Sequence, residues 1–248
     1  MPSQTQDPLL TPACYWVIVP AAGLGTRMGS SIPKQYLILG SKSILEHTLD
    51  RLLKIPSVVG VVVAVSEADN HWPNLAISQH PLIHTVVGGL ERANSVSNVL
   101  NFLQNKVRAH DWILVHDAAR PCVSLANIQM LCASLVDDPV GGILALPVGD
   151  TIKQVDDHQG IVSTVDRRKL WQAQTPQLFR YALLVDCLAH ALLQKANITD
   201  ESSAIELCGY SPKVIEGRSD NIKITRPDDL LLATFILRQQ EKNSPFQE

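Results

Sequence analysis

Apolar residues along this chain fall into short runs separated by segments that repeat every three to four positions. Tyr15–Pro20 (YWVIVP) is a brief apolar run that breaks into Ala-Ala-Gly, the pattern of a buried strand ending in a loop. Ile44, Leu45, Thr48, Leu49, Leu52 and Leu53 recur at helical spacing and predict the first crossover helix. Val58–Val65 is almost entirely valine, as expected of a strand covered on both faces. Further strands are predicted at Ile83–Val87, Trp112–His116 and Gly142–Pro147, with helices at Glu91–Leu103 and Leu125–Leu135 between them. This alternation builds an α/β fold: one doubly wound, mostly parallel sheet with helices on both faces.

The pattern changes between Val148 and Gln174. Thr151–Val165 alternates like a hairpin turning near Asp156–Gly160 and has no helical face. Such an excursion has little to bury against within its own subunit. It is either a surface hairpin or an arm that grips a second subunit. A helix then follows at Tyr181–Gln194, strands at Lys213–Glu216 and Asn221–Thr225, and a last helix opened by Pro227, a residue preferred in the first helical turn. With no internal repeat and no low-complexity linker, residues 1–248 read as a single domain. It has a frayed N-terminus at 1–13 and a β-arm at about 148–170.

Composition narrows the functional classes. The 248 residues are 46% hydrophobic and 18% charged, with a formal net charge of -3. A general nucleic-acid binder needs a basic surface to displace counterions, so that class is disfavoured. The cations that would hold an anionic ligand must be concentrated in one place. Five widely spaced cysteines without a CxxC pair suggest reduced thiols in place of a zinc site or disulfide framework. The first fourteen residues carry no Lys, Arg or apolar core, and no apolar run approaches the ~20 residues needed to span a bilayer. The expected compartment is the cytoplasm.

The most informative stretch is the loop after the first strand, Pro20-Ala21-Ala22-Gly23-Leu-Gly25-Thr-Arg27-Met-Gly-Ser-Ser-Ile-Pro-Lys34. Small residues there let the backbone approach a ligand and offer N–H groups to phosphate oxygens. The loop lacks GK[ST], so it is not a P-loop. The dinucleotide pattern would need glycine at Met28 and an acidic residue at a strand end, where Glu46 lies inside a predicted helix. A small-residue loop carrying two cations, Arg27 and Lys34, remains.

That A-A-G-x-G-x-R-M…P-K loop resembles the signature of nucleotidyltransferases that make activated sugars and alcohols. Further runs narrow the resemblance: Gly88-Gly89-Leu-Glu-Arg-Ala-Asn-Ser95, His116-Asp117-Ala118-Ala-Arg120-Pro, Thr164-Val-Asp-Arg167, Gln174-Thr175-Pro-Gln177, Ile198-Thr199-Asp-Glu201 and Glu216-Gly-Arg-Ser-Asp220-Asn-Ile-Lys223-Ile-Thr-Arg-Pro227. Together they closely resemble the 2-C-methyl-D-erythritol 4-phosphate cytidylyltransferases, from about residue 15 to about 240. Leu90 is a departure, since relatives can carry Asp after the paired glycines.

The resemblance implies CMP transfer from CTP to an alcohol phosphate in the non-mevalonate isoprenoid pathway, with Mg²⁺ and a homodimer. Pro20, Ala21, Ala22, Gly23, Gly25, Gly88, Gly89, Ser95 and Asp117 are then the expected nucleotide contacts, and Arg27, Lys34 and Lys223 the catalytic cations. Asp117, Ala118, Arg120, Thr151, Arg167, Thr175, Thr199 and Lys223 are the expected contacts to the second substrate. Thr151 and Arg167, at the two ends of the arm, are expected to reach the partner subunit's site. Asp117 and Asp220 are the expected carboxylates for Mg²⁺, which takes one or two carboxylates plus substrate phosphates. His116 tempts assignment as a base, though a His at a strand end is more often a packed residue. The rival readings are a ribitol 5-phosphate cytidylyltransferase, a sugar-1-phosphate nucleotidyltransferase using UTP or GTP, and a catalytically dead nucleotide-binding module.

Overall fold

A computed structural model describes residues 14–23 and 32–242; the segment expected to be a frayed N-terminus, 1–13, lies outside the described residues. The strands are β1 (Tyr15–Pro20), β2 (Ile38–Leu39), β3 (Lys42–Ser43), β4 (Val58–Val65), β5 (Ile83–Val87), β6 (Trp112–Val115), β7 (Gly141–Pro147), β8 (Ile152–Val155), β9 (Ile161–Val165), β10 (Trp171–Arg180) and β11 (Lys213–Glu216). The helices are α1 (Ile44–Leu52), α2 (Arg92–Leu103), α3 (Leu125–Leu135), α4 (Tyr181–Leu193), α5 (Glu201–Leu207) and α6 (Asp228–Lys242).

Seven strands form the main sheet in the order β11-β7-β10-β6-β1-β4-β5. All neighbours are parallel except β10, which runs antiparallel to both β6 and β7. The valine run of β4 is explained by its two-faced burial, since successive side chains point to opposite faces. Val61 and Val63 pack with Leu45, Leu49 and Leu52 of α1 and Ile128, Leu131 and Leu135 of α3. Val62 and Ala64 pack on the other face with Val96, Val99 and Leu103 of α2 and Leu184 and Leu188 of α4. Cys122, Cys132 and Cys187 are buried as thiols.

Helix α1 begins where the sequence supplies a cap. The Ser43 hydroxyl accepts the Glu46 N–H while the Glu46 carboxylate accepts the Ser43 N–H, satisfying two donors that helix geometry leaves orphaned. From β1 the chain steps outward to β4 and β5, then crosses back to β6 on the other side of β1. That reversal leaves a crevice beyond the carboxyl ends of β1 and β6, the place where open α/β sheets gather ligands.

Three departures from the sequence-based expectations are physical. Strand β10 is hidden in the sequence by Pro176 at its middle, a residue that cannot donate to a ladder and survives in central strands only at bulges. Here Ala173 and Gln177 pair with Ala145 and Ile143, so four steps along β10 match two along β7 and the proline sits in the irregularity. Helix α5, seven residues long and capped by the Asp200 side chain, is too short to show a period. Asn221–Thr225 is not a strand. Its backbone groups are spent elsewhere: the Ile224 N–H donates to Ala119 O at 2.9 Å, and the Asn221 and Ile224 carbonyls accept from Arg120 and Lys34. The arm does form the expected hairpin, as β8 pairs antiparallel with β9. Among the described residues no helix is long and apolar enough to cross a membrane.

Candidate active site

Two cavities meet at the crevice. One, of about 280 Å³, is lined by Pro20–Gly23, Lys34, Gln35, Gly89–Arg92, Ser95, Asp117–Ala119 and Lys223. The other, of about 180 Å³, is lined by Arg92, Asp117, Arg120, Ala173–Thr175, Gln177, Thr199, Asp200 and Lys223. Their common wall is Arg92, Asp117 and Lys223. A larger hollow of about 410 Å³ opens at the amino ends of β1 and β4, beside α3, but no charged side chain lines it.

The floor of the first cavity is built by close approach. Gln35 donates from Nε2 to Ala21 O at 2.7 Å, pinning the loop that leaves β1. Gly88 lies so near this loop that a Cβ there would fall 2.5 Å from the Ala22 Cβ. The Ser95 hydroxyl accepts the Gly89 N–H at 3.0 Å and donates to Glu91 O at 3.2 Å, so its one proton already shapes the glycine loop. Lys34 stands in a short 3-10 turn, Lys34–Tyr36, and donates to Ile224 O at 3.1 Å, reaching across the cavity mouth towards Lys223. Leu90 is fully exposed at the rim. Arg27 and Gly25 lie outside the described residues.

Asp117 is the electrostatic hub. Its carboxylate faces Lys223 Nζ at 2.8 Å, Arg92 Nε at 3.1 Å and Arg120 Nε at 3.6 Å. Burial would raise its pKa, but Arg92, Lys223 and Arg120 outweigh burial and hold the carboxyl far below the usual carboxylate range. Arg92 also forks onto Glu201 with bonds of 2.6 and 2.9 Å. For Arg92 itself, burial lowers the pKa and the two carboxylates more than restore it. Four cations (Lys34, Arg92, Arg120, Lys223) line the two cavities together with the carboxylates of Glu91, Asp117 and Asp200, and Glu201 braces Arg92.

His116 is a packed residue and not a base. Its Nε2 faces the Arg120 carbonyl at 3.1 Å, and a carbonyl only accepts, so Nε2 carries the proton. Nδ1 is therefore the acceptor, and it takes the proton of the Thr175 hydroxyl at 3.1 Å. The same hydroxyl accepts the Asp117 N–H at 3.0 Å. Burial lowers His116 to about 4, so the imidazole is neutral near pH 7 with both nitrogens engaged. Thr175 lines the second cavity, yet in this arrangement it has only a lone pair left to offer.

Other expected residues fall differently. Thr199, Arg120 and Lys223 line the second cavity, and Ala118 lines the first. Thr151 and Arg167 line neither; Arg167 is exposed at the foot of the arm and donates to the Gly149 carbonyl. Asp220 lines neither and is held by the Arg218 fork with two bonds of 2.9 Å. Of the two carboxylates expected at Mg²⁺, Asp117 lines both cavities and Asp220 lines neither; each is engaged by cations, Asp117 by Lys223, Arg92 and Arg120, and Asp220 by Arg218. Among the described residues no three metal-ligating side chains converge.

Sequence reasoning missed Arg92 and Glu201 as site residues. Arg92 stands inside a recognised run, but its partner lies 109 positions away and no local pattern joins them.

Comparison with known proteins gives the family. The sequence model of the 2-C-methyl-D-erythritol 4-phosphate cytidylyltransferases matches residues 15–239. A curated protein of that name from Pseudomonas putida is 50% identical over 217 residues, covering 87% of this chain and 92% of its own length. Another from Aliivibrio fischeri is 48% identical over 236 residues, covering 95% and 99%. Among solved structures, the Francisella tularensis 2-C-methyl-D-erythritol 4-phosphate cytidylyltransferase superposes with a TM-score of 0.78 at 39% identity, over 90% of this chain and all of its own. The Thermus thermophilus protein of the same name gives 0.75 at 28% identity, over 92% and 100%. Matched over nearly its whole described length in both sequence and shape, the chain belongs to the 2-C-methyl-D-erythritol 4-phosphate cytidylyltransferase family.

Proposed function

We propose that this protein transfers CMP from CTP to 2-C-methyl-D-erythritol 4-phosphate and releases pyrophosphate. The observation that carries the reading is the pair of cavities sharing Arg92, Asp117 and Lys223, with four cations, Lys34, Arg92, Arg120 and Lys223, in their walls. Two polyanions can meet there, CTP against the Pro20–Gly23 loop and Gly89, and the alcohol phosphate against Arg120, Thr175 and Thr199. An oxygen of the acceptor phosphate attacks the α-phosphorus in line. The bond from that phosphorus to the β-phosphate oxygen breaks, and pyrophosphate leaves with the electron pair.

A phosphomonoester has a second pKa near ~6, so the attacking oxygen is largely anionic at neutral pH and needs no base. This agrees with a site whose one histidine is buried, neutral and fully bonded. Catalysis then consists of positioning and charge neutralisation by Lys34 and Lys223, with Arg27 assigned the same role by its place in the loop. Magnesium enters as part of the substrate, the Mg²⁺–CTP complex, held by phosphate oxygens.

The exposed β8–β9 arm is the element assigned to a homodimer, in which Thr151 and Arg167 serve the neighbouring site. Val155, Ile161 and Val162 on it are more than half exposed, which supports burial against a second copy. The test of the activity is pyrophosphate release with CTP and Mg²⁺, comparing 2-C-methyl-D-erythritol 4-phosphate with ribitol 5-phosphate. Release with the methylerythritol phosphate alone is expected; release with ribitol phosphate alone would move the acceptor assignment and keep the mechanism.

A further inference from the structure

Arg92 stands at the common wall of the two cavities and holds two carboxylates at once. Nη1 and Nη2 bind Glu201 and Nε binds Asp117, which uses three of its five donors. Glu201 is 1% exposed, and a buried carboxylate stripped of its partner is strongly disfavoured, so the fork clamps the first residue of α2 to the first residue of α5. The loop leading into α2 walls the first cavity, and Thr199 and Asp200, leading into α5, wall the second. Asp117 closes the triangle at the end of β6. One side chain therefore joins the three elements that hold the two cavities in register.

We infer that Arg92 is a positioning residue: braced by Glu201, it fixes the nucleotide cavity against the acceptor cavity and so aligns the attacking phosphate with the α-phosphorus. Arginine is required because its planar fork meets both Glu201 oxygens at once, which the point charge of lysine does not. A group that only stabilised the fold would affect both binding and turnover through the folded fraction. A group that aligns two substrates acts on turnover after each has bound, and misplacement by about 1 Å can cost on the order of 10²-fold.

The inference rests on the proposed reaction for the identity of the two ligands. The experiment compares Glu201→Gln, Arg92→Lys and the double variant with wild type. It measures kcat with saturating substrates, CTP affinity by titration without acceptor, and the melting temperature. Each single variant is expected to lose roughly 10- to 100-fold in kcat with CTP affinity kept within about threefold, and the double variant to be no worse than the weaker single. Losses that multiply in the double variant, kcat within about threefold of wild type, or CTP affinity falling in step with kcat would each overturn the assignment. Should Glu201→Gln fail to fold, Arg92→Lys, which removes no charge, decides by the same three readouts. A wild-type protein inactive with methylerythritol phosphate would instead count against the proposed acceptor, and the kcat comparison would then be made with ribitol 5-phosphate.

Discussion

Lys34 is the residue whose placement says most about its work. It leaves a short turn, crosses the mouth of the nucleotide cavity and ends 3.1 Å from the Ile224 carbonyl, one residue from Lys223. Two ammonium groups so placed can flank the transferring phosphorus. Replacing Lys34 with alanine is expected to lower kcat about 10²- to 10³-fold, by analogy with losing one oxyanion donor, while the circular dichroism spectrum stays unchanged. A variant within about threefold of wild type would remove Lys34 from the chemistry. Gly88 makes a second claim at this scale. A methyl group there would meet the Ala22 Cβ at 2.5 Å and the Ser95 Oγ at 2.9 Å, so the loop after β1 must move. Overpacking of this kind costs about 1–3 kcal/mol. Gly88→Ala should weaken CTP binding by roughly tenfold in a calorimetric titration, and unchanged affinity would mean that the loop yields freely. Residues such as these are legible because glycines and cations stand in runs after predicted strands. The hydrogen-bond duties of Ser95 and Thr175 are not, since a hydroxyl's partner is set by tertiary contacts.

At the scale of elements, the legible parts are those whose burial imposes a period. The two-faced strand β4 and the one-faced helices α1 to α4 declare themselves through valine runs and three-to-four spacing, because the solvent on each side dictates the pattern. Strand β10 and the segment 221–225 escape the sequence for the opposite reason. The first interrupts its ladder at Pro176, and the second is held by side chains and loop carbonyls, neither of which leaves a periodic trace. The β8–β9 arm is legible as a hairpin, and Val155, Ile161 and Val162 on it are exposed. If the arm serves the neighbouring site, Arg167→Ala and Lys34→Ala are each inactive but damage different surfaces of a composite site. Mixing the two proteins under conditions of subunit exchange should restore activity, since about half of the dimers at equal input are hybrids carrying one intact site. Exchange demonstrated by mass, with no recovery of activity, would mean that each site is complete within one chain.

For the molecule as a whole, the site's buried charges tie stability to pH. In the unfolded chain an imidazole titrates near ~6.5. In the folded chain burial lowers His116 to about 4, against the opposing pull of the Arg120 carbonyl and Asp117. Between those values the unfolded chain binds a proton that the folded chain does not. Stability therefore falls as pH drops below about 6.5, and the loss is complete near 4; the interval corresponds to roughly 3 kcal/mol. Asp117 acts in the same direction at lower pH. Its carboxyl is held below its unfolded value by Arg92, Lys223 and Arg120, so the stabilisation is present above that value and lost as pH falls further. For a chain of 248 residues the histidine contribution amounts to roughly 6–12 °C in melting temperature between pH 7.5 and 4.5. His116→Asn, which can still donate and accept but cannot titrate in this range, is expected to melt lower at pH 7.5 and to show a shallower slope towards acid. A wild-type profile flat over this interval, or a variant slope as steep as wild type, would detach His116 from the acid sensitivity of the fold. A shallower variant slope would show that the network orienting Asp117 and Thr175 also limits the pH range over which the protein stays folded.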